Sequence, residues 1–260
     1  MNIDDFRCIR KGVHLSTLDD ISLIAPINRL INRKKHRALL LLHGFSSTPA
    51  VFRYLLPTFS NYDTIVGPTL SGHGTRLNDF ACVKASDWLL QIEQICKTLT
   101  DQFDQVDVMG LSLGGLLACH LSTRFNLHHL YLLAPALDLR LELKNTLKLA
   151  KSLHWLGFRQ IRSYAGDLFT SQHCEIAYRQ LPISTIIEML TFVQQFQFYQ
   201  PDCPADLFLG CHDKVVSSWR VADRFADNNK VNIHWLANSA HVIPLDGDID
   251  QIAECVQQTK

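Results

Sequence analysis

Gly110-Leu111-Ser112-Leu113-Gly114 sets a serine between two glycines, each two positions away. A serine on a very tight strand-to-helix turn needs small neighbours, because side chains beside it would clash. Such a turn lifts the hydroxyl above a sheet, and the helix N-terminus behind it favours developing negative charge. The chemistry this suits is nucleophilic acyl transfer. Five residues of this pattern also arise by chance. Here the flanks supply the required context: a strand pattern at Val106–Gly110 and a helical one from Leu113 to Thr123. A serine hydroxyl is a weak nucleophile and needs a base. Asp213 follows the apolar run Leu207-Phe208-Leu209-Gly210, and His241 follows Ile233-His234-Trp235-Leu236 by a short loop. Singly, Asp213 reads as a turn aspartate capping a helix and His241 as an ordinary loop histidine. Together they stand in the order serine, acid, histidine, each in a loop after a strand, where Asp213 would hold the His241 imidazole in one tautomer. Attack creates an oxyanion that needs fixed donors. The candidates are the backbone N–H of Leu113 and that of Phe45, in the loop His43-Gly44-Phe45-Ser46-Ser47. His43 is read as holding that loop by hydrogen bonds.

Positioning these residues requires a regular frame, and the patterns supply one from Ala38 onward. Ala38–Leu42 is a continuous apolar run, as a buried parallel strand requires. Thr48-Pro49 predicts a helix running towards Thr58. Thr64–Val66 is a short strand, and Ser86 caps a helix with Trp88, Leu89, Ile92, Ile95, Cys96 and Leu99 at helical spacing. A strand at His129–Ala134 follows. Between about Asp138 and Gln200 the patterns are mainly helical. Alternation resumes at Asp206–Leu209, with a helix at Ser218–Ala226, a strand at Val231–Leu236 and a last helix from Asp248 to Gln257. The expected class is α/β: a mostly parallel central sheet, helices on both faces, and a helical cap inserted after the sixth-strand position. The division is 1–37, an N-terminal segment of unassigned structure; 38–137 and 201–260, the core; 138–200, the cap. Within the first segment, Ser16–Asp20 looks like a helix start, and Leu18, Ile21, Ile27, Leu30 and Ile31 could form an apolar stripe broken or kinked by Pro26; helix and irregular wrapping are both open readings.

The motifs taken together resemble the small bacterial carboxylesterases and monoacylglycerol lipases of the α/β-hydrolase fold. They are Leu-Leu-His-Gly-Phe at 41–45, Gly-His-Gly at 72–74, Gly-Leu-Ser-Leu-Gly-Gly at 110–115, Gly-Cys-His-Asp-Lys-Val-Val at 210–216 and Ser-Ala-His-Val-Ile-Pro-Leu-Asp at 239–246. The resemblance runs from about Ala38 to the C-terminus, is weak across the insert and is absent before Arg37. It implies a triad of Ser112, Asp213 and His241, an oxyanion hole from Phe45 and Leu113, a helical cap over an acyl pocket, an acyl ester as substrate, and no metal or organic cofactor. A thioesterase or lysophospholipase would use the same triad. A binding protein on the same scaffold is a further class, disfavoured because all three residues are present.

Composition narrows the field. Lys plus Arg and Asp plus Glu each number 25, giving a formal net charge of zero. That balance lacks the cationic surplus nucleic-acid binding needs. It also offers little repulsion between copies, leaving a homodimer open. No apolar run is long enough to span a bilayer, and the acidic start lacks the apolar region of a secretory signal. Eight scattered cysteines without C-x-x-C spacing read as free thiols in a reducing, cytoplasmic compartment. His173-Cys174 and Cys211-His212 juxtapose metal-capable types, but no ligand spacing follows them. In the insert, Leu147, Leu153, Trp155, Leu156, Phe158, Phe192, Phe196 and Phe198 are candidates for an acyl pocket, although each alone is better read as cap core. Arg29, Arg33, Lys34, Lys35 and Arg37 form a basic cluster, read as a solvated face.

Overall fold

Strand and helix alternate along the computed structural model, which describes residues 3–10, 12–17 and 21–259. In chain order the elements begin with β1 (Phe6–Arg10), β2 (Val13–Thr17), β3 (Ile27–Leu30), β4 (Arg37–Leu42) and β5 (Thr64–Gly67). Next come α1 (Leu77–Phe80), α2 (Ala85–Gln102), β6 (Gln105–Leu111), α3 (Leu113–Ser122) and β7 (His129–Leu133). The insert holds α4 (Leu143–Trp155), β8 (Gln160–Arg162), β9 (Glu175–Tyr178), β10 (Gln180–Pro182) and α5 (Ile183–Gln195). The chain closes with β11 (Ala205–Gly210), α6 (Ser218–Phe225), β12 (Val231–Leu236) and α7 (Ile249–Gln258).

Among the described residues, seven strands form the central sheet in the order β12-β11-β7-β6-β4-β5-β3. All neighbours are parallel except β3, which pairs antiparallel with β5 at one edge. Apolar residues line both faces of β4, as a strand covered on both sides requires. Ala38, Leu40 and Leu42 enter one core with residues of α2, α3 and α6. Leu39 and Leu41 enter a second core with Phe52, Leu55 and the α7 residues Ile252 and Val256. Each of these buried leucines contributes roughly 2 kcal/mol relative to exposure.

The end of the sheet away from the candidate site is held by a buried polar network. Asp107 Oδ2 accepts from Arg37 Nε at 3.0 Å, from an Arg37 terminal nitrogen at 2.6 Å and from the Tyr62 hydroxyl at 2.7 Å. His128 Nδ1 lies 2.7 Å from Asp107 Oδ1, and the Thr259 carbonyl accepts from Arg37 at 2.7 Å. The basic cluster is therefore split. Arg37 is buried in this network, whereas Arg29, Arg33, Lys34 and Lys35 are exposed as expected. Asp107→Ala would leave the Arg37 guanidinium buried without its partner, a defect worth about 3–5 kcal/mol. We expect a fall of roughly 10 °C in the thermal midpoint. A midpoint within a degree or two of wild type would refute this role.

Several local expectations are corrected. The residues after Ser16 do not continue as a helix: Val13–Thr17 is a strand, Ile21–Ile24 a single 3₁₀ turn and Ile27–Leu30 the edge strand β3. Leu18, Asp19 and Asp20 lie outside the described residues. The reason is tertiary. β1 pairs with β9 and β3 with β5, and partners so distant in sequence leave no local pattern. The helix expected from Pro49 is two 3₁₀ turns, Pro49–Phe52 and Leu56–Thr58, and the second contains Pro57, which has no N–H to extend an α-helix. The insert carries its two helices, α4 and α5, but also strands β8, β9 and β10. Cys8 and Cys174 are not free: they form a disulfide with Cα atoms 5.4 Å apart, tying β1 to the residue before β9. This removes the ground on which the thiols pointed to a reducing compartment. No helix among the described residues is long and apolar enough to cross a membrane.

Candidate active site

Ser112 caps α3 at the C-terminal end of β6 with φ 54° and ψ −113°. That backbone region is costly for a residue with a Cβ, on the order of 1–3 kcal/mol, so the surroundings must enforce it. They do so through packing. A Cβ on Gly110 would lie 2.2 Å from the Gly114 carbonyl oxygen, and one on Gly114 would lie 2.0 Å from that of Leu42. Both glycines are therefore required by sterics. Backbone hydrogen bonds fix the turn further: Ser112 N–H donates to Leu133 O at 2.9 Å, and Ser112 O accepts from Leu116 N at 3.1 Å and Ala136 N at 3.0 Å. The Ser112 side chain is half-buried at the C-terminal edge of the sheet, with Leu113 buried as the first residue of α3.

Two further loops leave the same edge. After β11, Asp213 is buried with Oδ1 accepting from Val215 N and Val216 N, each at 2.7 Å. After β12, His241 is buried with Nδ1 2.8 Å from Asp213 Oδ2. A carboxylate only accepts, so Nδ1 carries the proton and Nε2 keeps a free lone pair. Gly210 permits this approach, since a Cβ there would lie 2.2 Å from Ala240 O. The histidine loop is pinned by two buried aspartates. Asp246 Oδ2 accepts from Ala240 N at 2.8 Å and from Phe169 N at 2.7 Å. Asp248 Oδ2 accepts from Asn238 N at 2.7 Å and from the Ser239 hydroxyl at 2.8 Å.

The loop after β4 lies beside the serine: a Cβ on Gly44 would sit 3.4 Å from Ser112 Cβ. His43 is fully buried in it. Its Nδ1 donates to Gly44 O at 2.9 Å and its Nε2 accepts from Leu70 N at 3.0 Å. Burial drives its pKa down to about 4, against the Gly44 hydrogen bond, so it is neutral and holds the loop. His73, from the Gly-His-Gly stretch, plays the same part: its Nε2 accepts from Ser46 N at 3.2 Å, and burial holds its pKa far below the usual value. The Phe45 ring packs near His73, Phe80 and Trp88.

Residues 39–254 match the family model described as the alpha/beta hydrolase family. The chain belongs to the alpha/beta hydrolase family. The chain is 28% identical over 228 residues to a thermostable monoacylglycerol lipase of Bacillus sp. (strain H-257), covering 83% of this chain and 87% of the relative. Among solved structures it is similar to one of the metagenome-derived lipolytic enzymes LipS and LipT, with TM-score 0.79 and 24% identity over 90% of this chain and 96% of that one. It is also similar to the Paleococcus ferrophilus monoacylglycerol lipase, with TM-score 0.69 and 14% identity over 90% of this chain and 98% of that one. The family fold accounts for the mostly parallel sheet and for loops gathered at one edge.

In this α/β-hydrolase the electrostatics of the histidine depend on residues the sequence did not single out. Burial disfavours the His241 imidazolium, but the charge and hydrogen bond of Asp213 outweigh it, with help from Asp167 and Glu175, and the pKa is raised above 6.5. Glu175, itself buried, accepts from Gly166 N at 2.8 Å, and Asp167 accepts from Lys214 N at 2.9 Å. Both come from the insert, where no motif marks them. Other candidates part company. Leu147 is buried, whereas Trp155, Leu156 and Phe158 stand exposed where α4 ends. Phe192 packs on Trp88 and Phe196, and Phe198 on Phe225. His173 stacks on Tyr54 beside the disulfide, and His212 stacks on Phe169.

Proposed function

We propose that the protein hydrolyses carboxylic esters, such as monoacylglycerol or short-to-medium-chain acyl esters, through an acyl-enzyme on Ser112. The observation that carries this reading is the buried Asp213–His241 hydrogen bond at the sheet edge from which the strained Ser112 turn projects. His241 Nε2 takes the Ser112 hydroxyl proton as Oγ bonds to the ester carbonyl carbon. The oxyanion is received by the N–H groups of Phe45 and Leu113. His241 then gives its proton to the departing alcohol. A water attacks the acyl-enzyme by the same route, releasing the acid and restoring the serine. Asp213 keeps its charge throughout and stabilises the imidazolium. In this scheme 38–137 and 201–260 are the catalytic core and 138–200 the cap. The substrate assignment leans on the likeness to lipases and esterases, and on the large apolar side chains that the insert presents.

The test is a substrate panel: p-nitrophenyl esters from acetate to palmitate, a monoacylglycerol, an acyl-CoA and a lysophospholipid. We expect kcat/KM to peak on short-to-medium-chain esters and monoacylglycerol. A preference for acyl-CoA would make it a thioesterase, and one for lysophospholipid a lysophospholipase. Folded protein that neither turns over nor takes a fluorophosphonate label would leave a binding protein on this scaffold.

A further inference from the structure

Far from the serine, three donor side chains converge under α7. Asp206 lies near the start of β11, about 13 Å of strand before Gly210 and the loop that carries Asp213. Its carboxylate Oδ1 is 2.7 Å from His234 Nε2, and its Oδ2 is 2.7 Å from His129 Nε2. The Cys255 sulfur, from α7, lies within 4.8 Å of the same carboxylate. One ligand atom each from Asp206, His234 and Cys255 lies within 4.8 Å of the others. The three come from β11, β12 and α7, so nothing in their spacing along the chain announces them.

Hydrogen bonding alone gives this group a weak rationale for sulfur. Asp206 is buried, and each of its oxygens already meets an imidazole. A thiol is a poor donor and adds little to a carboxylate so occupied. As a thiolate, by contrast, it is a strong ligand for a borderline-soft cation. One sulfur, one imidazole nitrogen and one carboxylate oxygen are donors of the kinds zinc takes, and leave the fourth tetrahedral position to water. Metal–donor distances of about 2.0–2.3 Å set tetrahedral donors about 3.3 Å or more apart, so the 2.7 Å contact between Asp206 and His234 would have to open by about 0.6 Å. His234 has the freedom to do so, since about a third of its side chain (35%) is exposed, which also gives an ion a way in.

We propose that Asp206, His234 and Cys255 form a three-ligand binding site for a zinc-class divalent cation, with water in the fourth position, that staples α7 to the β11–β12 edge of the sheet. Binding exchanges the Cys255 proton, released to solvent, for a metal–sulfur bond; the His234 imidazole binds neutral and the carboxylate already carries its charge. Affinity should therefore fall as pH falls. The site stands apart from the catalytic edge, so its role is structural.

The experiment titrates cobalt(II) into chelator-treated full-length protein and follows absorption. We expect one equivalent to bind, with a thiolate-to-cobalt charge-transfer band and the intense visible bands of a tetrahedral site, both abolished when zinc is added. Cys255→Ser should lose the charge-transfer band while keeping wild-type circular dichroism. His234→Gln should weaken binding about tenfold or more. Zinc should raise the melting temperature of the wild type and leave that of Cys255→Ser unmoved. Absence of the band in wild type would overturn the proposal. So would its persistence in Cys255→Ser, which would place the cobalt on exposed thiols such as Cys82 or Cys211.

Discussion

Ser112→Ala is expected to lower kcat by about 10⁶-fold, as loss of the nucleophile does in serine hydrolases generally, and to abolish fluorophosphonate labelling. The size of the effect follows from what is lost. Without Oγ no acyl-enzyme forms, and only binding and oxyanion stabilisation remain to assist direct attack by water. The substitution is also clean. Alanine has the same Cβ as serine, so the strain at φ 54° is unchanged, and the bonds that fix the turn are all to the Ser112 backbone. The variant should melt within a degree or two of wild type and keep its affinity for substrate. Turnover surviving at more than a percent, in protein free of contaminating esterase, would remove Ser112 from the mechanism.

Much of this site was legible because its constraints are local. Gly110 is enforced by a 2.2 Å approach to the carbonyl of Gly114 four residues on, so the pair leaves a short, readable signature, even though Gly114 itself is enforced by Leu42 on the distant strand β4. The parallel strands were readable for a related reason: covered on both faces, they must be apolar throughout, as Ala38–Leu42 is. His43 was read correctly as a loop anchor. What stayed hidden depends on residues distant in sequence. β1 exists through its pairing with β9, and Cys8 finds Cys174 across 166 residues. Asp246 and Asp248 look like ordinary turn aspartates until the histidine loop folds back on them. The insert hides its chemistry too: Glu175 bears on His241 only once its strand is in place. Arg37 shows the converse error. It sits in a run of basic residues that reads as surface, yet the buried Asp107 claims it alone among them.

Asp213→Asn is expected to cost about 10⁴-fold in kcat while leaving the loop folded. The asparagine carbonyl can still accept from Val215 N and Val216 N, so the turn after β11 survives. Its amide must then face His241, and an amide N–H donates where the carboxylate accepted. Nδ1 becomes the acceptor, the proton moves to Nε2, and Nε2 can no longer take the serine proton. The pH profile adds a readout that unfolding would not give. In wild type His241 has a raised pKa, and in the proposed mechanism only its neutral form can act as base. Activity should therefore rise with pH through a limb above 6.5, later than an ordinary histidine would give. The charge of Asp213 is the main influence favouring the imidazolium, and burial opposes it. With that charge gone, burial prevails and the limb of the residual activity should move to lower pH. A kcat/KM profile measured between pH 5 and pH 9 for both proteins checks the sign. A limb that stays in place despite the lost rate would mean that Asp213 orients His241 without governing its charge. A limb that rises would contradict the buried pairing at 2.8 Å altogether.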